Sequence, residues 1–420
     1  MKPLRVCIDA RQMSIFDIGG VGSFIIGLAT GLSSLTDGNE EYFFLTYRNS
    51  EEWIRPYLAG ACQVLPCLLP APQHEWKNWL EKKMPAVTKM WREYSPLIAP
   101  LTFSPAKSDG TIENAGIEIM HFTNQMGFLT KVPSIYHPHD LQHVHLPQYF
   151  SKRTIKKREI QYRTFCNQAR MIAVVSSWIK NDLIKHYNLS NNKVRVIPFA
   201  PVTTVYPSPT ETDLSMTKRK FNLADHFILY PAQTWEHKNH LGLLQALYLL
   251  RQQHGVSIPF VSTGFHTDFF PKIEKRIREL QLELQSKFLG FVSELELQCL
   301  YKLSRAVVIP TKFEAASFPL WEAFHAEAPT GCSRVTSLPE QAGDAALLFD
   351  PERPEEMARV ISRLWTDETM RRELIKRGKE RVKLFTWERT ARIFRAHYRR
   401  LANLPISDED HEMIIGQSLF

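Results

Sequence analysis

The 420-residue chain carries 52 Lys and Arg against 44 Asp and Glu, a formal net charge of +8. With 44% hydrophobic and 23% charged residues it has the composition of a folded globular protein, which excludes long-range disorder. At ~100–200 residues per domain the length predicts two or three domains.

The six cysteines, at 7, 62, 67, 166, 299 and 332, form no C-x-x-C pair, so neither a disulfide framework nor a zinc ribbon is expected. A reducing cytoplasm suits them. Residues 1–9 read as a short strand rather than a cleavable leader, and no run reaches the ~18–20 apolar residues that span a bilayer. The positive balance suits an anionic partner without choosing among a phosphate ligand, a membrane surface and nucleic acid.

Along the chain, buried strands are predicted at 4–8, 42–46, 117–121, 134–137 and 171–175, with helical spacing over 21–35, 152–165 and 177–187. The stretch 66–116 reads as a long insertion. Its segment 74–91 is either a substrate-capturing lid or a plain helix covering the core. Residues 200–217, with three Pro and five Thr and no apolar period, read as a linker. Strands resume at 227–230, 258–263, 287–289 and 306–309, and helices at 240–253, 271–285, 295–303 and 319–326. This alternation predicts parallel sheets covered on both faces, in two α/β halves over 1–199 and 218–385. A helix at 387–401, rich in Arg and aromatics, and an acidic tail from 405 close the chain.

In doubly wound halves ligands gather at the carboxyl ends of strands, so motifs just after strands carry the candidates. Gly19, Gly20 and Gly22 follow the first strand and open a helix, where backbone N–H groups approach an anion; a tight turn is the plainer reading. Glu314 and Glu322 follow the strand at 306–309, beside a helix begun by Pro319. Two carboxylates next to a helix N-terminus suit a ligand with hydroxyls near a phosphate, against an exposed Glu and a dipole-satisfying Glu. Lys238 follows the strand at 227–230 and would meet the same anion, unless it is simply solvated. Four His and one Asp between His137 and His145 invite a zinc reading. A single functional histidine, with Asp140 orienting it or the chain, is favoured over metal. Asp408 to Asp410 reads as solvated tail. Lys152, Arg153, Lys156, Lys157 and Arg158 put five cations on one helix, either a solvated face or a contact for anionic lipid.

Together these segments resemble family 4 of the nucleotide-sugar-dependent glycosyltransferases, across nearly the whole chain. Gly19 to Gly22 resembles its first glycine loop, and His139-Asp140 its His-Asp pair. The segments at 173–187 and 193–198 are similar to those closing its first domain. His237-Lys238-Asn239 resembles its phosphate loop, and 289–300 followed by 306–310 its base-binding region. Glu314 to Glu322 matches its E-x7-E, the most specific signal. Residues 337–351 and 387–401 resemble its later loop and strand and its final helix.

The resemblance implies an α/β GT-B fold: two Rossmann-like doubly wound domains facing across a cleft, with the final helix crossing back to the first. It implies a cytoplasmic retaining enzyme of polysaccharide biosynthesis without metal or other cofactor, in which no placed protein nucleophile acts. Lys238 would neutralise the donor diphosphate, with His237 and backbone at Ala316, Ser317 and Phe318. Glu314 would hold the sugar hydroxyls, Glu322 the ribose hydroxyls, and Val292 would lie in the base region. His139 would sit by the anomeric centre, with Gly20 and Gly22 near diphosphate or acceptor. The implied partners are a GDP- or UDP-sugar and a glycan or lipid-linked acceptor, with peripheral membrane contact through 152–158 or 74–91; nucleic acid is not expected. The pattern from His139 to Phe150 resembles mannosyltransferases, which leans the donor to GDP-mannose.

Two departures stand out. The Arg that family members commonly carry before the phosphate-loop Lys is missing, leaving Gln233 or His237 in its place. Family glycines after the first Glu are Ala315 and Ser317 here. They motivate a second reading, a catalytically silent GT-B protein that binds a glycan or partner; a third reading is a nucleotide-sugar epimerase on the same fold.

Overall fold

The computed structural model describes residues 2–11, 19–70, 84 and 104–415. Most of the predicted insertion, including 74–91 apart from Met84, lies outside the described residues. The chain divides into two compact units. Among the described residues, the first contains those up to 174, 182–197 and 391–415; the second contains 175–181 and 198–390.

The first unit holds a seven-stranded parallel sheet of β1 (Leu4–Asp9), β2 (Glu40–Arg48), β3 (Cys62–Pro70), β4 (Ile119–Phe122), β5 (Ser134–Tyr136), β6 (Met171–Val174) and β7 (Val194–Val196). Its order is β3-β2-β1-β4-β5-β6-β7. Val6 pairs with Tyr42 on one side and Ile119 on the other. Both faces are covered, so strands such as β4 are buried at every residue and read as continuous apolar runs. Helices Gly20–Ser33 and Lys152–Gln168 lie between strands, the latter capped by the Ser151 hydroxyl, which accepts from the Thr154 N–H at 3.1 Å.

The second unit repeats the plan with β8 (Ile228–Pro231), β9 (Phe260–Thr263), β10 (Ser286–Phe288), β11 (Ala306–Ile309), β12 (Thr330–Ser333) and β13 (Ala346–Phe349). The order is β10-β9-β8-β11-β12-β13, again all parallel. In both sheets the strand order reverses once, between β1 and β4 and between β8 and β11. Such a reversal leaves a crevice at the carboxyl ends of the two strands.

β3, β7 and β12 were not among the predicted strands; β7 is only three residues, with Arg195 between two valines. β3 carries Pro66 and Pro70, tolerable because it is an edge strand that needs few ladder donors. β12 is Thr-Gly-Cys-Ser, buried throughout but without an apolar run. Gly331 is required there: a Cβ would stand 2.9 Å from Val360 Cγ1.

Two expectations are corrected. The second half of the predicted linker is helical over Glu211–Lys220, because Thr210 and Asp213 form a reciprocal capping box. The threonines that lowered the apolar count include the cap itself. The acidic tail is also not simply solvated. Asp410, in helix Asp408–Ile415, is 2% exposed and accepts from Arg399 at 2.9 Å. Arg395 and Arg399 of helix Trp387–Leu401 also pair with Asp37 and Glu40, each at 2.6 Å. That Arg-rich face therefore finds its carboxylates inside the first unit.

The second unit is pinned at its reversal by Asn239. Its backbone is left-handed (φ 60°), and it precedes helix His240–His254. Its buried side-chain Nδ2 donates to the carbonyls of Pro310 at 3.0 Å and Pro351 at 2.9 Å. One amide thus ties the segment after β8 to the segments after β11 and β13. Replacing Asn239 by Ala leaves two buried carbonyls without a donor and removes the polar side chain that makes the left-handed backbone tolerable for Asn. The expected loss is about 2–4 kcal/mol, read as a lowered urea midpoint; an unchanged midpoint contradicts this role.

Candidate functional site

The second unit brings Lys238 and Glu314 together from opposite sides of its reversal. β8 leads into the turn Glu236–Lys238, whose carbonyls are held from two directions. The buried Tyr230 hydroxyl donates to the Lys238 carbonyl at 3.0 Å, and the Lys312 N–H donates to the His237 carbonyl at 2.8 Å. On the β11 side, the Thr336 hydroxyl accepts from the Glu314 N–H at 3.0 Å and donates to the Glu314 carbonyl at 2.5 Å. With both backbones fixed, Lys238 Nζ meets Glu314 Oε2 at 2.7 Å. The two side chains remain 21% and 16% exposed, so a ligand can reach them.

Next to this pair, helix Phe318–His325 begins with Pro319 in its first turn, no acid there and no side-chain cap. Ser317 is fully buried. Its N–H donates to Gln341 Oε1 at 3.0 Å, while its Oγ has no partner among the described residues. Ala316 is half-buried in the loop. The ring of Phe318 points into the core, stacked on Phe199 at 6.1 Å, so only its backbone is available to a donor.

The two carboxylates of E-x7-E sit in different environments. Glu322 is 5% exposed and accepts from the Tyr301 hydroxyl at 2.7 Å. Burial pushes its carboxyl up to about 7, and nearby Glu294 adds to the rise against the Tyr301 bond. It lines a cavity of about 430 Å³ with Tyr301, Lys302 and His325. Lys238 and Glu314 do not line that cavity.

His237 does not supply the positive charge of the missing Arg. Burial, then the neighbouring Lys238 and His240, hold its imidazole down to about 3, so it is neutral. Gln233 Oε1 accepts from Trp235 Nε1 at 2.8 Å. Val292 is buried beside Phe291, whose exposed ring stacks on Phe265 at 5.0 Å. The loops meet at Gly264, a position the sequence reading passed over. Its φ is +122°, its N–H donates to the Gly290 carbonyl at 2.8 Å, and a Cβ would stand 2.7 Å from the Ala232 backbone. A glycine directly after a strand was the available signal.

In the first unit, helix Gly20–Ser33 starts at Gly20 after an extended Gly19, with Gly22 buried and neither side-chain cap nor acid in its first turn. His139 has a left-handed backbone (φ 64°), and its Nε2 lies 2.7 Å from the Thr123 carbonyl. A carbonyl only accepts, so Nε2 carries the proton and Nδ1 is an acceptor. Burial lowers the pKa of this ring, keeping it neutral. Asp140 Oδ1 accepts from the Gln142 N–H at 2.9 Å and so orients the chain.

The neighbouring histidines go to different partners. His137 meets His121 at 2.8 Å, which meets the Tyr398 hydroxyl at 2.6 Å; His143 meets Glu159 and His145 meets Asp182, each at 2.8 Å. The run therefore does not converge on one metal. Among the described residues, the group with metal-ligand spacing is His145, Asp182 and His186, with ligand atoms within 4.8 Å of one another. Lys152, Arg153, Lys156 and Lys157 are exposed, while Arg158 packs over Phe150 at 4.7 Å. No helix of the described residues is long and apolar enough to cross a membrane.

Comparison with known proteins follows the same division. Residues 18–200 match the model of Glycosyltransferase Family 4, and residues 212–381 that of Glycosyl transferases group 1. The chain is 28% identical over 256 residues to O-antigen chain mannosyltransferase B of Escherichia coli, covering 60% of this chain and 66% of that protein. It is 31% identical over 186 residues to the serotype-specific mannosyltransferase WbdA of Escherichia coli, covering 44% of this chain and 23% of that one. It thus spans no more than about two thirds of the length of these curated relatives. Among solved structures, Anabaena HepE in complex with UDP and glucose superposes with a TM-score of 0.67 at 14% identity, covering 94% of this chain and 99% of that one. Sucrose-phosphate synthase of Thermosynechococcus elongatus gives 0.68 at 18%, covering 95% and 99%. These likenesses show the GT-B fold. With both halves matched in order, the chain belongs to family 4 of the glycosyltransferases.

Proposed function

We propose that the chain is a retaining hexosyltransferase that moves a sugar, with mannose favoured, from a nucleotide-diphosphate donor to a glycan or lipid-linked acceptor of a cell-surface polysaccharide. The observation that carries this reading is the Lys238–Glu314 pair at the strand-order reversal of the second sheet. A diphosphate arriving there competes with Glu314 for the ammonium. It brings more charge than one carboxylate, so Lys238 turns to it and Glu314 is released to accept from sugar hydroxyls. The amide end of helix Phe318–His325 adds ~0.3–1 kcal/mol toward the same anion. Charge on the leaving diphosphate grows as the glycosidic bond breaks, and a fixed cation therefore stabilises the transition state more than the ground state.

Glu322 is assigned to the ribose hydroxyls, and Val292 to the base. The same reading gives the neutral His139 a part in transfer, with Gly20 and Gly22 contacting phosphate or acceptor. Support for mannose comes from relatives named as O-antigen mannosyltransferases, and support for a nucleotide donor from HepE, whose structure holds UDP and glucose. The competing silent reading draws on one observation: neither Gln233 nor His237 offers a second fixed cation.

Lys238→Ala is expected to lower kcat/KM for transfer by about 10²-fold, from ~3 kcal/mol lost at the transition state; an unchanged value removes Lys238 from the site. Calorimetry with GDP-mannose and UDP-glucose tests binding itself, since their doubly esterified diphosphates keep a fixed charge near neutrality. Heat from neither would favour the silent reading. Glu322 holds a proton to about pH 7, and ribose hydroxyls donate best to its ionised form. Donor affinity is therefore expected to rise by up to about tenfold from about pH 6 to about pH 8, and to lose that slope in Glu322→Gln. A flat profile in the parent chain contradicts the ribose assignment.

A further inference from the structure

The sheet of the first unit has a second end. His139 and the Gly20 helix follow the carboxyl ends of strands, whereas Arg170 and Lys193 precede β6 and β7, and Arg195 lies within the short β7. Helix Trp387–Leu401 adds His397 and Arg400. Arg170, Lys193, Arg195 and Arg400 line one cavity of about 540 Å³, together with Ser190 and Asn192.

Among the described residues, no Asp or Glu lines this cavity. Arg170 reaches the Leu401 carbonyl at 3.5 Å and Lys193 the Asn167 carbonyl at 3.1 Å. None of the four cations has a carboxylate partner among the described residues. Elsewhere on the same helix the pattern is the reverse, with Arg395 and Arg399 matched by Asp37, Glu40 and Asp410. Two of these cations repel each other: burial and then Arg400 lower the pKa of Arg195, and burial with Arg195 and Arg400 holds the buried His397 down to about 3. A concavity of unmatched like charge focuses a positive field, and a bound anion relieves the repulsion.

We propose that this cavity is a binding site for an anion of the phosphate class, carried by an anionic lipid headgroup or by a soluble phosphorylated compound. The planar forks of three arginines suit the oxygens of a phosphate or diphosphate, and Lys193 adds a point charge. Ser190 and Asn192 bring further hydrogen-bonding groups, and Met171 and Leu401 give an apolar margin to whatever carries the phosphate. The site lies at the strand ends opposite to His139, within the first unit, and shares no residue with the Lys238–Glu314 pair of the second.

The test is a pyrophosphate titration of the full chain carrying Lys238→Ala, which removes the proposed donor cation, compared with the same chain also carrying Arg195→Gln and Arg400→Gln. Saturable binding is expected in the first, weakened at least about tenfold in the second. The two arginines lack carboxylate partners, so the second protein should keep its thermal midpoint. In an otherwise native chain the same two substitutions should leave donor hydrolysis unchanged. If that pair of substitutions prevents folding, Lys193→Gln alone carries the comparison. Sedimentation with phosphatidylglycerol vesicles separates the sources. Vesicle binding displaced by pyrophosphate supports a lipid headgroup, and pyrophosphate binding without vesicle binding supports a soluble compound. Absence of both, or undiminished binding in the substituted chain, overturns the site.

Discussion

The side-chain amide of Asn239 donates to carbonyls that follow two different strands, and the position of Lys238 depends on it. Lys238 is the residue before Asn239, so its backbone is fixed by the same bridge and by the Tyr230 hydroxyl below it. Glu314 is fixed separately by Thr336. Neither member of the ion pair has to order its own backbone when a ligand arrives, which removes part of the entropic cost of binding. The crowding extends to Gly242, where a Cβ would stand 2.6 Å from the Asn239 side chain. A buried neutral amide thus organises a partly exposed charged pair, and the pair is left free to exchange partners.

Charge is handled differently in different parts of the chain. Helix Trp387–Leu401 sends Arg395 and Arg399 to Asp37, Glu40 and Asp410, so these cations serve the first unit's own structure. Lys238 has a single carboxylate partner, Glu314, in a pair that stays partly exposed. Arg170, Lys193, Arg195 and Arg400 share a cavity that no carboxylate of the described residues lines. The net +8 of the chain is therefore a sum over distinct local balances. The buried His121 and His240 and the half-buried His237 add nothing to it, because desolvation holds all three down to about 3.

Much of the fold was legible because parallel strands buried on both faces read as apolar runs, as in 306–309, and because the helices between them keep a period. β12 was illegible since its burial is carried by small residues under Val360 and Leu364, and β3 because proline at a sheet edge looks like a break. Thr210 and Asp410 were misread for a related reason. Polar residues used as a cap or as a buried counter-charge have the same composition as solvated ones, and only their partners tell them apart. At the site, Lys238 and Glu314 could be placed together from sequence because both follow strands. The burial of Glu322 against Tyr301 depends on packing between two helices, which spacing does not encode. The ring of Phe318 turned inward for the same reason: Phe199, far away in sequence, supplies its stacking partner.

The most direct measurement is a screen for donor turnover without acceptor, run on the purified chain across a panel of GDP- and UDP-sugars. Slow release of nucleotide diphosphate and free sugar from one donor, with GDP-mannose first, is the predicted result. Turnover of none of them, or the appearance of an epimeric nucleotide sugar in place of a released sugar, would contradict the account.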